Sequence, residues 1–236
     1  MKLAGAVLVL LSSVVCAAPP PNILLAISDD QSYLHTSAAG WRAVATPAFD
    51  RIAREGVLFR NAFAASPGCS PSRAALLTGR QPWQLGEAGT HSSGFPTNYV
   101  VLPDLLEAAR YAVGMTGKGW APGNWKVSGR TRNPAGPEYN RRTADPPHRE
   151  MSRVDYAANF EEFLSSVPRG TPFYFWYGAH EPHRPYAPGS GRAAGKQREQ
   201  ALPPRFLPDL PDVRDDLLDY AAEIEWFDRH LARMLE

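Results

Sequence analysis

A chain of 236 residues, 44% hydrophobic and 21% charged, can build one large domain with its own core, or part of a bigger one. Its formal net charge of +1 gives no electrostatic basis for gripping nucleic acid, which needs a clustered positive field. Arginines do gather at Arg130, Arg132, Arg141, Arg142, Arg149 and Arg153. Composition favours a solvated loop there over a surface that recruits anions.

The first residues read as an export signal. Lys2 supplies the positive start, Ala4 to Val15 form a short apolar stretch, and Ala17 and Ala18 are the small residues before cleavage. A signal peptide over residues 1–18 places the mature protein in the periplasm or outside the cell. The stretch is too short to span a bilayer, and Pro19, Pro20 and Pro21 end any helix. Val15 is bulkier than lipid attachment at Cys16 would want, and no later segment is apolar enough for a membrane span. Of the two cysteines, Cys16 leaves with the signal or sits at its edge. Cys69 is then alone in an exported protein, where thiols normally pair. Two readings follow: a buried bystander or a reactive group.

Ile23 to Ile27 is a continuous apolar run, the pattern of a strand buried on both faces, and it ends in Ser28, Asp29 and Asp30. Thr46 as N-cap, Pro47 as first residue and Gly56 as stop predict a helix. Val57 to Phe63 reads as a second strand. Pro71 opens a helix through Leu77 that Gly79 ends. Leu102 to Tyr111 predicts a helix and Ala112 to Thr116 a short strand ending at Gly117 and Lys118. The stretch from Trp120 to Arg149 has no periodicity and reads as a long irregular loop, of the kind that often carries function. Val154 to Leu164 predicts an amphipathic helix, and Pro172 to Ala179 an aromatic strand ending at His180. Pro182 to Pro211 is irregular. Asp215 to Leu235 predicts a long helix.

Strands alternating with helices predict an α/β fold with a mainly parallel sheet, whose ligands bind beyond the carboxyl ends of the strands. Asp29, Asp30, Lys118 and His180 all fall there. Two adjacent carboxylates raise each other's pKa unless a cation offsets them, and a hard divalent metal would do so. An ordinary polar turn is the other reading of that pair.

The stretch CSPSRAALLTG, from Cys69 to Gly79, resembles the sulfatase signature, in which C-x-P-S-R leads into a short apolar helix and T-G-R. Cys69, Pro71, Ser72, Arg73, Thr78, Gly79 and Arg80 match it. The physical setting agrees: the start of a helix offers free N–H groups and a positive dipole end to an anion such as sulfate. Arg73 in that first turn opposes the dipole, so its charge suggests a task beyond helix stability. NILLAISDDQ, TPAFDRIAREGVLFRNAFA, Gly117-Lys118 and HEPH extend the resemblance over most of the mature chain.

The resemblance implies an alkaline-phosphatase-like α/β sandwich over residues 22–236, truncated on its C-terminal side, and hydrolysis of a sulfate ester or sulfamate. It implies that a maturase oxidises Cys69 to formylglycine and that Asp29, Asp30 and residue 69 contact Ca2+, with Mg2+ as the substitute. It assigns Arg73 to holding the geometry of residue 69 and the metal, Lys118 to contacting sulfate, and His180 to protonating the leaving group. After attack by one hydroxyl of the hydrated aldehyde, the second loses its proton, the aldehyde re-forms and sulfate departs. His183 reads as scaffold. GAHEPHRPY and GKGW look like heparan N-sulfatase and iduronate sulfatase relatives, which points to a sulfated glycan substrate.

The chain departs from the family in two respects. Many sulfatases carry a histidine two or three residues after the lysine, where this chain has Trp120 and Ala121. The base for the hydrate is then unassigned or supplied by another residue such as His91. The family's remaining metal ligands, an Asp followed by Asn or His, and its second sulfate-contacting lysine are expected beyond Glu236, with a sheet edge left uncovered. The alternatives are a phosphodiesterase or phosphonate hydrolase using the same formylglycine, a non-catalytic glycan binder, or an inert truncated fragment.

Overall fold

The computed structural model describes residues 18–236, so the signal-peptide reading of residues 1–18 lies almost wholly outside the described residues. Three strands form one parallel sheet: β1 (Ile23–Ile27), β2 (Ala112–Gly117) and β3 (Phe173–Gly178), in the order β1-β3-β2. The register sets Leu25 and Met115 on either side of Trp176. Among the described residues six α-helices accompany it: α1 (Pro47–Glu55), α2 (Cys69–Thr78), α3 (Leu102–Ala108), α4 (Tyr156–Ser166), α5 (Ser190–Ala193) and α6 (Pro211–Met234).

β3 is central because its aromatic residues fill both sides of the sheet. Strand alternation sends Tyr174 and Trp176 into one cluster with Leu77, Phe95, Met115 and Trp120. Phe175 and Tyr177 enter the opposite cluster with Tyr156, Phe160, Phe163, Phe227 and Leu231. Each such fully buried ring contributes roughly 1.5–3 kcal/mol of burial free energy. The layers are therefore α2 and α3 on one face and α4 and α6 on the other, the α/β arrangement expected.

Several expectations about single elements change: α5 interrupts the stretch read as irregular from Pro182 to Pro211, and α4 starts at Tyr156 rather than Val154. Val57 to Phe63 is not a strand: it is irregular, with Val57, Phe59 and Phe63 exposed at 75%, 75% and 91%. A β-prone run without a hydrogen-bonded neighbour does not hold strand geometry. The outer edge of β1 is likewise unpaired among the described residues. A cavity of about 960 Å³ lies there, lined by Leu24 and Ala26 of β1, Phe59, Phe63, and Ile224 and Phe227 of α6. Thr46 precedes α1 but makes no side-chain cap. Asp228 of α6 instead accepts from the N–H groups of Ala48 and Phe49, both at 2.9 Å. α3 ends at Ala108, before Arg110 turns to φ +67°. α6 starts four residues earlier than its periodicity suggests, because Pro211 suits a first helical turn.

Five of the six clustered arginines have partners among the described residues. Arg132 pairs with Asp104 and Glu107, Arg142 with Glu162, Arg149 with Glu150 and Arg153 with Asp145. Arg130 donates to the carbonyls of Phe95, Pro96 and Tyr99.

The buried face of α6 carries Glu223, whose Oε1 has no hydrogen-bond partner among the described residues. Burial, and then Glu181, Glu150 and Asp219, push its carboxyl up to about 8. The unfolded chain ionises this group near pH 4.5, whereas the folded chain keeps the proton until about 8, so its contribution to stability falls as pH rises between those values. Glu223→Gln is therefore expected to be near neutral at pH 4 and stabilising by a few kcal/mol at pH 8. Urea unfolding of both proteins across that range checks it. Parallel curves would show that Glu223 titrates normally.

Candidate active site

The site assembles where the three strands end. β1 runs into Ser28, Asp29 and Asp30, and the N–H of Asp29 donates to the Glu181 carbonyl at 2.9 Å, tying this end of β1 to the segment after β3. Asp29 is 4% exposed, while Asp30 faces solvent with φ +63°. β2 runs into Lys118, whose N–H donates to the Gly178 carbonyl at 2.6 Å. A Cβ on Gly178 would sit 2.0 Å from the Lys118 carbonyl oxygen, so only glycine allows this approach.

α2 begins at Cys69, two residues before Pro71. Gly68 is extended, and its carbonyl accepts from the Ser72 N–H at 3.0 Å. Cys69 is a free, half-buried thiol at the helix start. One turn on, Arg73 is 3% exposed, packed over the Trp176 ring at 5.8 Å. Its guanidinium donates to the carbonyls of Lys118 at 2.5 Å and Gly119 at 3.1 Å, and to Asp29 Oδ1 at 3.3 Å. Lys118 Nζ donates to Asp29 Oδ2. Two cations thus offset one buried carboxylate, and Arg73 joins α2 to β1 and β2 at once. Burial lowers the Arg73 pKa, opposed by Asp29 and then by Cys69 and Asp30.

His180 follows β3 and shares a cleft of about 370 Å³ with Asp29, Lys118, Glu150, His183 and Arg184. His180 is solvent-exposed where it lines that cleft. Burial and then Lys118 hold its pKa below the ordinary imidazole value, with Asp29 opposing. If His180 is the proton donor, its charged form fades as pH rises through a value below 6.5. On that reading, kcat/KM should fall with rising pH on that limb, and His180→Ala should lose the limb along with most of the rate. A pH profile of both proteins checks this.

The sequence-predicted residues fall into three groups. Asp29, Arg73 and Lys118 form one hydrogen-bonded cluster, and His180 meets it across the cleft. Asp30 lies beside His183, with Nε2 3.6 Å from Oδ2, and His183 Nδ1 bonds the Arg184 carbonyl. Cys69 is not among the residues lining the cleft; its polar side-chain neighbour is His91, with Nε2 3.6 Å from Sγ.

Asp29 and Asp30 offer the oxygen donors a hard cation takes. They would be its first ligands here, although among the described residues no third His, Cys, Asp or Glu side chain completes a metal-holding group with them. The thiol at a helix start beside Arg73 likewise suits an anionic substrate.

Sequence reasoning did not assign a role to Glu181. It is 1% exposed and accepts from the Ser152 N–H and the Tyr156 hydroxyl, both at 2.8 Å, while Tyr156 Oη accepts from the His180 N–H at 3.1 Å. This chain holds the His180 backbone. A glutamate inside HEPH was visible, but its partners lie 25 and 29 residues away.

A sulfatase family model matches residues 21–236. The chain belongs to the sulfatase family. This sulfatase is 41% identical over 114 residues to human N-acetylgalactosamine-6-sulfatase, covering 43% of the chain and 22% of that protein. It is 34% identical over 176 residues to human N-sulphoglucosamine sulphohydrolase, covering 72% of the chain and 33% of that protein. It therefore spans a third or less of those relatives' length. A putative sulfatase of Bacteroides fragilis superposes with a TM-score of 0.70 at 20% identity, covering 93% of this chain and 58% of the other. That likeness shows the alkaline-phosphatase-like fold. No helix among the described residues is long and apolar enough to cross a membrane.

Proposed function

We propose that the full-length protein is an exported hydrolase of sulfate esters or sulfamates on glycans, with its nucleophile at residue 69. The observation that carries this is Arg73. One buried side chain ties the start of α2, where Cys69 lies, to the carboxylate after β1 and the backbone after β2. A solvated turn or a bystander cysteine needs no such clamp.

Formylglycine at residue 69 would supply the attacking oxygen, and calcium held by Asp29 and Asp30 would offset charge on the sulfate. The chain's own residues do the rest. Lys118, with its ammonium against Asp29 at the cleft wall, binds a sulfate oxygen and lowers the cost of charge there. Arg73 offsets the charge of Asp29 and fixes the start of α2 against β2. A ring nitrogen of His180 gives its proton to the leaving oxygen or nitrogen. Tyr156 and Glu181 fix the backbone from which that ring projects. Residues 1–18 serve as the export signal, and a formylglycine-generating enzyme is the required partner.

The glycan reading rests on the likeness to N-acetylgalactosamine-6-sulfatase and N-sulphoglucosamine sulphohydrolase. The test compares kcat/KM on an aryl sulfate, a sulfated glucosamine and an aryl phosphodiester. A preference for either sulfate supports the reading. A clear preference for the diester moves the protein to the phosphodiesterase class.

A further inference from the structure

We infer that His91 is the proton acceptor for the group carried at residue 69, a step that the inference takes from the hydrolytic reading above. Three observations converge. His91 Nε2 lies 3.6 Å from Cys69 Sγ, although 22 residues separate the two. Its other nitrogen, Nδ1, lies 3.1 Å from Ser92 Oγ. With Nδ1–H donating to that hydroxyl, Nε2 keeps its lone pair toward residue 69. The remaining basic groups at the site are committed elsewhere. Arg73 cannot release a proton in this pH range, Lys118 is bound to Asp29, His183 lies beside Asp30, and His180 lines the cleft that Cys69 does not line.

The segment that could have offered a base from beyond Lys118 is used structurally instead. Trp120 is 1% exposed, packed edge-on against Phe95 at 5.1 Å, and Ala121 has no titratable group. The next residues build the seat for His91. Ser70 Oγ donates to the Pro122 carbonyl, which locks α2 to this turn. The Asn124 N–H donates to the Ser93 carbonyl at 2.9 Å, which locks the turn to the segment carrying His91. Ser93 Oγ closes that segment on itself by donating to the Glu87 carbonyl. One turn thus fixes both partners of the Cys69–His91 pair.

The step balances. The O–H bond of the spare hydroxyl on hydrated residue 69 breaks and its proton moves to Nε2. The released electron pair closes the C=O bond. The C–O bond to sulfate breaks, and sulfate leaves with the bonding pair of that C–O bond. The proton then passes from the exposed imidazole to water.

The test uses His91→Gln and His91→Ala in the full-length protein coexpressed with a formylglycine-generating enzyme. The aldehyde fraction at residue 69 is measured by mass spectrometry, and kcat is normalised to it. His91→Gln should lower normalised kcat by on the order of 10²-fold or more, the scale of a lost general base, with KM little changed. Added imidazole should restore part of the rate in His91→Ala. A second readout needs neither aldehyde nor turnover. In protein left unmatured, the rate at which iodoacetamide alkylates Cys69 should fall in His91→Gln. Unchanged alkylation and unchanged normalised kcat would overturn the inference. Slowed alkylation in a protein that releases no sulfate would keep His91 as the acceptor at residue 69 and remove the hydrolytic reading alone.

Discussion

Cys69→Ala in the full-length protein is expected to reduce sulfate release to background, a loss on the order of 10⁶ in kcat, as for other hydrolases stripped of their nucleophile. The structure makes this a chemical rather than a folding effect. Cys69 is half-buried at the first position of α2 and contributes to none of the hydrophobic clusters. Removing its thiol leaves Arg73, Lys118 and Asp29 bonded to one another, since none of those hydrogen bonds passes through residue 69. The variant should therefore unfold at the same urea concentration as the parent. An active Cys69→Ala protein would mean that the nucleophile is elsewhere. A variant that loses both activity and stability would make Cys69 a core residue.

Arg73→Ala should do the opposite and cost stability as well as activity. Arg73 and Asp29 form an ion pair with side chains 4% and 5% exposed. Removing one partner of a buried pair typically costs about 3–5 kcal/mol, because the remaining charge stays desolvated. Lys118 still neutralises part of Asp29, but the carbonyls of Lys118 and Gly119 lose their donor. In a protein of this size such a loss lowers Tm by roughly 6–20 °C. Arg73→Lys keeps the charge and loses the forked geometry, so it should recover part of the stability and little of the activity. Thermal and urea unfolding with matched activity assays separate the two effects. A destabilisation under about 1 kcal/mol for Arg73→Ala would show that the clamp contributes little to the fold.

The three strands were legible because each is a short apolar run closed by a polar or glycine residue, and β3 announces its central place by its aromatic content. The same signal failed at Val57 to Phe63. An apolar run reports a preference for strand, but a strand also needs a hydrogen-bonded neighbour, and among the described residues none pairs with this one. The bounds of α1 were legible but its cap was not, since Asp228 serves it from 179 and 180 residues away, and the ends of α2, α3, α4 and α6 were blurred by one to four residues. The candidate site shows the same division. The C-x-P-S-R motif, the Asp pair and HEPH could be read locally. That Lys118 bonds Asp29, that Glu181 and Tyr156 brace His180, and that His91 rather than a residue after Lys118 faces Cys69 are long-range outcomes of packing.

The central claim is that residue 69 carries the reaction as an oxidised cysteine. Tryptic digestion of active full-length enzyme, purified after coexpression with the maturase, should release the peptide Asn61–Arg73. Its mass should correspond to CHO in place of CH2–SH at residue 69, and the aldehyde fraction should track specific activity across preparations. An enzyme that turns over sulfate with an unmodified Cys69 thiol in that peptide would contradict the account.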